Sequence, residues 1–154
     1  MAKRSMIWLK WLTRRLRKMN KSLLLAWIAA VIATLGSLYL SEVMHFIPCT
    51  LCWYQRIFMY PLAILLGIAF YHHDKKIHRY ALPLSVIGML ISGYHFLLQK
   101  IPYLQQFEMC TSGVPCAKDY LNLFGFITIP LMAFTAFTII TVSLTVFSRN
   151  NKED

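Results

Sequence analysis

Four cysteines fall into two close pairs, Cys49 with Cys52 and Cys110 with Cys116. Two intervening residues, Thr50 and Leu51, let the sulfurs of the first pair reach each other as a disulfide. Gly113 and Pro115 supply a turn between the members of the second. Such pairs serve three kinds of chemistry. As structural staples these are weak, since closing so short a ring stabilises a fold by about 2 kcal/mol. As zinc ligands they are right in number and type, but a structural zinc site needs reduced thiols, and the topology argued below puts all four cysteines on the oxidising side of a membrane. Thiol–disulfide exchange, between the pairs and with outside thiols, fits best. Cys49 and Cys52 stand where a helix begins, and the unpaired N–H groups and positive dipole end there stabilise a thiolate.

Arg56 lies four residues after Cys52, hence on the same helix face one turn deeper. A guanidinium inside an apolar run is costly and marks function by default, although a residue so near a helix start can also snorkel to the interface. A cation beside a thiolate, within reach of lipid, is what reduction of a quinone requires: it stabilises the thiolate and the charge developing on a quinone oxygen. Gln55 can donate a further hydrogen bond. His95 falls at the same membrane level, where it could polarise a quinone carbonyl or carry its proton; the plainer alternative is a polar interfacial residue. His72, His73 and His78 with Asp74 could in principle hold a metal, but a solvated basic connection is the simpler reading, and no metal site is expected.

These side chains need elements to position them. Of 154 residues, 58% are hydrophobic and 14% charged, more apolar surface than a soluble domain of this size can hide. Four runs are long enough to cross a hydrocarbon core of about 30 Å as helices: Ser22–Leu40, Trp53–Tyr71, Ala81–Gln99 and Phe124–Phe147. None alternates as a barrel strand does, and four strands could not close a barrel. The expectation is a single all-α integral membrane domain over residues 1–154, an up-down-up-down bundle of four transmembrane helices joined by short connections. Ala26, Ala29, Ala30 and Ala33, and Gly88 with Ser92, mark candidate close helix contacts, and equally could be ordinary small residues facing lipid. Pro61 and Pro130 are candidates for kinks.

The net charge of +10 does not indicate nucleic acid, because Lys and Arg cluster at the ends of the apolar runs, as anchors to anionic headgroups do. Eight of them precede the first run. Lys75, Lys76 and Arg79 follow the second, and Arg149 and Lys152 end the chain, whereas residues 41–52 have none and the third connection only Lys100 and Lys118. Both termini and the second connection are therefore expected in the cytoplasm, and the two cysteine-bearing connections outside. The first run is long for a signal peptide and lacks a small-x-small cleavage site, so an uncleaved helix is expected. Ahead of it, Ile7, Trp8, Trp11, Leu12 and Leu16 recur at helical spacing against Arg and Lys, suiting a basic amphipathic helix over residues 1–21 in the cytoplasmic interface.

The string Cys49-Thr50-Leu51-Cys52-Trp53-Tyr54-Gln55-Arg56 resembles the Cys-x-x-Cys-x-x-[Glu/Gln]-Arg signature of the DsbB/BdbC family of disulfide-bond formation proteins. His95-Phe96-Leu97-Leu98-Gln99, and Cys116 followed by Leu123-Phe124-Gly125 and Pro130, extend the likeness over nearly the whole chain. Only five residues separate Cys110 from Cys116, as in the compact BdbC type; long-loop members carry a longer segment with an interfacial helix. The resemblance implies a protein dithiol:quinone oxidoreductase of the bacterial cytoplasmic membrane that supports disulfide formation in exported proteins. It implies catalytic cysteines paired Cys49–Cys52 and Cys110–Cys116, and a quinone (ubiquinone or menaquinone) beside Arg56, Gln55 and His95. It also implies a thioredoxin-fold thiol oxidase partner like DsbA or BdbD. In that relay Cys110 takes the partner's thiolate, Cys116 carries electrons onward, Cys49 receives them and Cys52 hands them to quinone. Vitamin K epoxide reductase-like enzymes also join a helical bundle to cysteines and quinone, but their loop cysteines precede the Cys-x-x-Cys. A membrane metal carrier using the cysteines as ligands is the non-enzymatic alternative.

Overall fold

The computed structural model describes residues 21–101, 103, 116 and 128–150, and its described residues are helical with no strand. Helix α1 spans Lys21–Leu38 and runs into a π-helical turn, Tyr39–Val43; α2 spans Thr50–His72, α3 His78–Lys100 and α4 Ile129–Asn150. All four are long and apolar enough to cross a membrane. The basic segment expected over residues 1–21 lies, save Lys21, outside the described residues, as does Cys110.

The helices are antiparallel in sequence order. At one end of the bundle Arg56 of α2 bonds Ser37 of α1, and Gln55 bonds His95 of α3. At the other end Trp27 stacks on Phe70, and His78 meets Phe147 edge-on. The start of α1, the end of α4 and the α2–α3 connection thus share one end, opposite the Cys49–Cys52 pair. Each helix packs on its sequence neighbour and α4 closes the ring onto α1, while α2 and α4 scarcely meet across the diagonal.

Packing is driven by small residues that let backbones approach. Ala26 and Ala30 of α1 are wholly buried, with Ala29 and Ala33 packed at the edge of the same core. Gly88 of α3 receives the ring of Phe137 from α4 so closely that no Cβ would fit. Nearby, Thr141 of α4 donates to the Ser85 hydroxyl of α3 at 3.1 Å. Large apolar side chains such as Ile32, Ile64, Leu90 and Val142 face outward, where lipid tails cover them. Exposed Tyr39, Trp53 and Tyr54 ring the cysteine end, and Tyr71 and Tyr80 the other, the amphipathic girdles of a membrane–water boundary.

Several expected boundaries move. Helix α2 begins at Thr50 rather than Trp53, because Cys49, extended at ψ 171°, is its N-cap. Cys52 therefore lies in the first turn of the helix and not on the connection. Helix α4 begins at Ile129 rather than Phe124, which puts Pro130 in the first turn. There a missing N–H costs nothing, so Pro130 starts the helix instead of kinking it. His73 takes the left-handed C-cap of α2, and Asp74 accepts from the Lys76 N–H, so the basic connection is a capped turn.

Candidate functional site

Cys49 and Cys52 meet across the first turn of α2 with their sulfurs 3.0 Å apart. Both are free thiols in this structure, side by side as the expected disulfide needs. A bonded pair stands about 2.05 Å apart, so closing the bond needs a movement of roughly 1 Å. Cys49 is buried and sits ahead of the span. The Cys52 thiol beside it, opposed by burial and helped by His95, pulls its pKa from 9.0 down to about 4.

His95 ties the site together. It is 1% exposed, and its Nε2 stands 3.2 Å from the Cys116 carbonyl and 3.8 Å from the Cys49 sulfur. A carbonyl only accepts, so Nε2 carries the proton. In the neutral ring Nδ1 is then an acceptor, met by the Gln55 amide at 3.0 Å. Gln99, one turn on, also donates to the Cys116 carbonyl at 3.4 Å. Cys116 is buried against Cys49, Leu51 and Leu98 and is disulfide-bonded, its partner lying outside the described residues. The second cysteine pair is thereby docked onto the first through one of its members.

Arg56 donates from Nε to the Ser37 hydroxyl at 3.0 Å and from Nη2 to the Ser37 carbonyl at 3.2 Å. Its Cζ lies 5.5 Å from the centroid of the Trp53 ring. It does not snorkel freely but is tied to α1, just before the π-helical turn. Ser37 was not expected in the site. Its only sequence signal is Ser37-x-x-x-Ser41 near the end of an apolar run, and the Ser41 hydroxyl does bond the Ser37 carbonyl.

These residues line one cavity of about 740 Å³ that draws on all four helices, a volume suited to a medium-sized organic ligand. Cys49, Cys52, Gln55, Arg56 and His95 give it a polar head. Ile28, Ile32 and Ile139, which also line it, are exposed on the lipid-facing surface, so the cavity opens toward the bilayer. Tyr60 Oη, Gln99 Oε1 and Thr128 Oγ1 are buried with no hydrogen-bond partner among the described residues, and all three residues line the cavity. Unpaired buried polar atoms in an otherwise apolar pocket fit a ligand that is apolar in bulk and carries a few oxygens, as a quinone is. Among the described residues Cys49, Cys52 and His95 also form a group with ligand atoms within 4.8 Å of one another, spacing that a soft metal ion could use. The histidines of the α2–α3 connection form no such group.

A search of protein families matches residues 19–147 to the family described as disulfide bond formation protein DsbB. The chain belongs to the DsbB family. Among its relatives in that family, disulfide bond formation protein C of Bacillus subtilis is 49% identical over 128 residues, covering 83% of this chain and 93% of the relative. The probable disulfide formation protein C of Bacillus cereus is 48% identical over 136 residues, 88% and 98% of the two chains. A probable disulfide formation protein of Coxiella burnetii is 50% identical over 126 residues, 81% and 86%. No solved structure matches the chain. As a DsbB-family protein with four membrane-length helices, it is a multi-pass membrane protein of disulfide-bond formation, with the oxidoreductase character that implies.

Proposed function

We propose that this DsbB-family protein is a dithiol:quinone oxidoreductase that reoxidises a thioredoxin-fold partner outside the cytoplasm and passes its electrons to membrane quinone. The observation that carries this reading is the convergence of the Cys49–Cys52 dithiol, Arg56 and His95 at the polar head of a cavity open to lipid. The positive-inside pattern supports a cytoplasmic location for the end that holds the α2–α3 connection, which leaves the cysteines outside.

In the proposed relay a partner thiolate attacks Cys110, and Cys116 leaves as a thiolate. Cys116 attacks Cys49, breaking the Cys49–Cys52 bond and freeing Cys52. The partner's second thiol then releases the partner as a disulfide. Cys110 attacks Cys116, restoring the Cys110–Cys116 bond and freeing Cys49. The partner has lost two electrons, and Cys49 and Cys52 hold them. Reclosing the Cys49–Cys52 disulfide releases two electrons and two protons. Ubiquinone or menaquinone, when bound, supplies the acceptor for both. The lowered pKa of Cys49 keeps it a thiolate, ready to reclose the bond. Arg56, fixed by Ser37, offers positive charge where an oxygen would gain it. His95 holds an Nε2 proton between Cys49 and the Cys116 carbonyl.

The test is reconstitution without oxygen. In liposomes holding quinone, added reduced partner should lose two thiols per quinone consumed, and in quinone-free liposomes should stop at no more than two equivalents per protein, one for each disulfide. Continued turnover without quinone would refute the reading. The Cys49–Cys52–His95 group favours one second reading, a metal carrier, which predicts stoichiometric metal on purified protein with its thiols reduced.

A further inference from the structure

The N-terminus of α4 carries a buried hydroxyl that the helix does not use. Thr128 is the residue before Ile129, and its carbonyl accepts the first helical bond from the Met132 N–H at 3.1 Å. A threonine here normally turns its hydroxyl onto the N–H of the second or third helical residue. The second is Pro130, which has no N–H, and Thr128 Oγ1 makes no bond to the third or to any other described residue. The side chain is nonetheless 1% exposed and lines the cavity. Leaving a hydroxyl buried and unpaired is unfavourable, and water is the weaker explanation in a cavity whose walls are mainly apolar and open to lipid.

We propose that Thr128 is a ligand-positioning residue that hydrogen-bonds one of the two ring oxygens of the quinone; this rests on the dithiol:quinone reading above. A hydroxyl suits that place because it is both donor and acceptor. It donates to the carbonyl of the oxidised ring and accepts from the hydroxyl of the reduced one, so the contact survives turnover. Gln99 Oε1, also unpaired in the cavity wall, can only accept and would favour the reduced ring. Thr128 thus holds the ring in place without discriminating between its oxidation states.

The experiment compares wild type, Thr128→Val and Thr128→Ser as oxidised proteins in nanodiscs, titrated with a short-chain ubiquinone analogue and followed by tryptophan quenching. Thermal unfolding is measured without quinone. Thr128→Val should weaken quinone binding about tenfold, the loss of one hydrogen bond, and should unfold no earlier than wild type. Thr128→Ser should restore binding. Wild-type affinity in Thr128→Val, or early unfolding with unchanged affinity, would overturn the proposal and make the hydroxyl structural. If wild type itself binds no quinone, the dithiol:quinone reading falls, and this proposal with it.

Discussion

The guanidinium of Arg56 has two donors fixed on Ser37, which orients the remaining ones. Replacing it with Met removes the charge while keeping an apolar stem. Quinone-dependent turnover should fall by the equivalent of about 2–4 kcal/mol, with both cysteine pairs still able to form; unchanged quinone kinetics would mean that Arg56 only anchors α2 to α1. Cys49 gives a pH test. Its thiol lies at about 4 instead of 9.0, with the Cys52 thiol as the largest cause. A depressed folded-state pKa favours the folded reduced protein fully above pH 9, and that advantage is lost as pH falls toward 4. Alkylation of Cys49 should therefore keep its rate from pH 8 down to roughly pH 5. In Cys52→Ala the profile should move up toward 9. A wild-type profile already centred near 9 would contradict the geometry. Most of this constellation was legible in the sequence, because Cys49, Cys52, Gln55 and Arg56 lie within two turns of one helix, where spacing dictates proximity. Ser37 and Thr128 were not, since their roles depend on which neighbouring helix they face and on a cap bond that Pro130 withholds.

Element boundaries were less legible than element existence. Apolar runs gave four helices, but hydropathy could not see that Cys49 caps α2, which draws Cys52 into the helix. Nor could it see the π-helical turn after Leu38, which has no hydropathy signature. The small residues were informative: Ala26, Ala30, Gly88 and Ser92 are buried at helix contacts. Gly88 gives the sharpest test at this scale, because a Cβ there would run into the Phe137 ring. Gly88→Ala should separate α3 from α4 locally and destabilise the bundle by about 1–3 kcal/mol, read as an earlier thermal transition in detergent. An unchanged transition would mean that Phe137 moves aside freely.

At the scale of the molecule, the bundle places the cysteine pair and the ends of the described chain at opposite faces, and the proposed topology takes the Lys- and Arg-rich face as cytoplasmic. Reporter fusions at Lys76 and Ser112 should read opposite sides of the membrane, with Lys76 inside; the same side for both would break the four-helix topology. In the proposed relay Cys49 and Cys52 give their electrons to quinone. One anaerobic turnover reads this: reduced Cys110→Ser/Cys116→Ser protein, which has no second pair to exchange with, is mixed with one equivalent of quinone, and thiols are mapped by alkylation and mass spectrometry. One quinol should form per chain, with the Cys49 and Cys52 thiols lost as a disulfide. Quinone left oxidised, or quinol formed while Cys49 and Cys52 remain alkylatable, would contradict the relay.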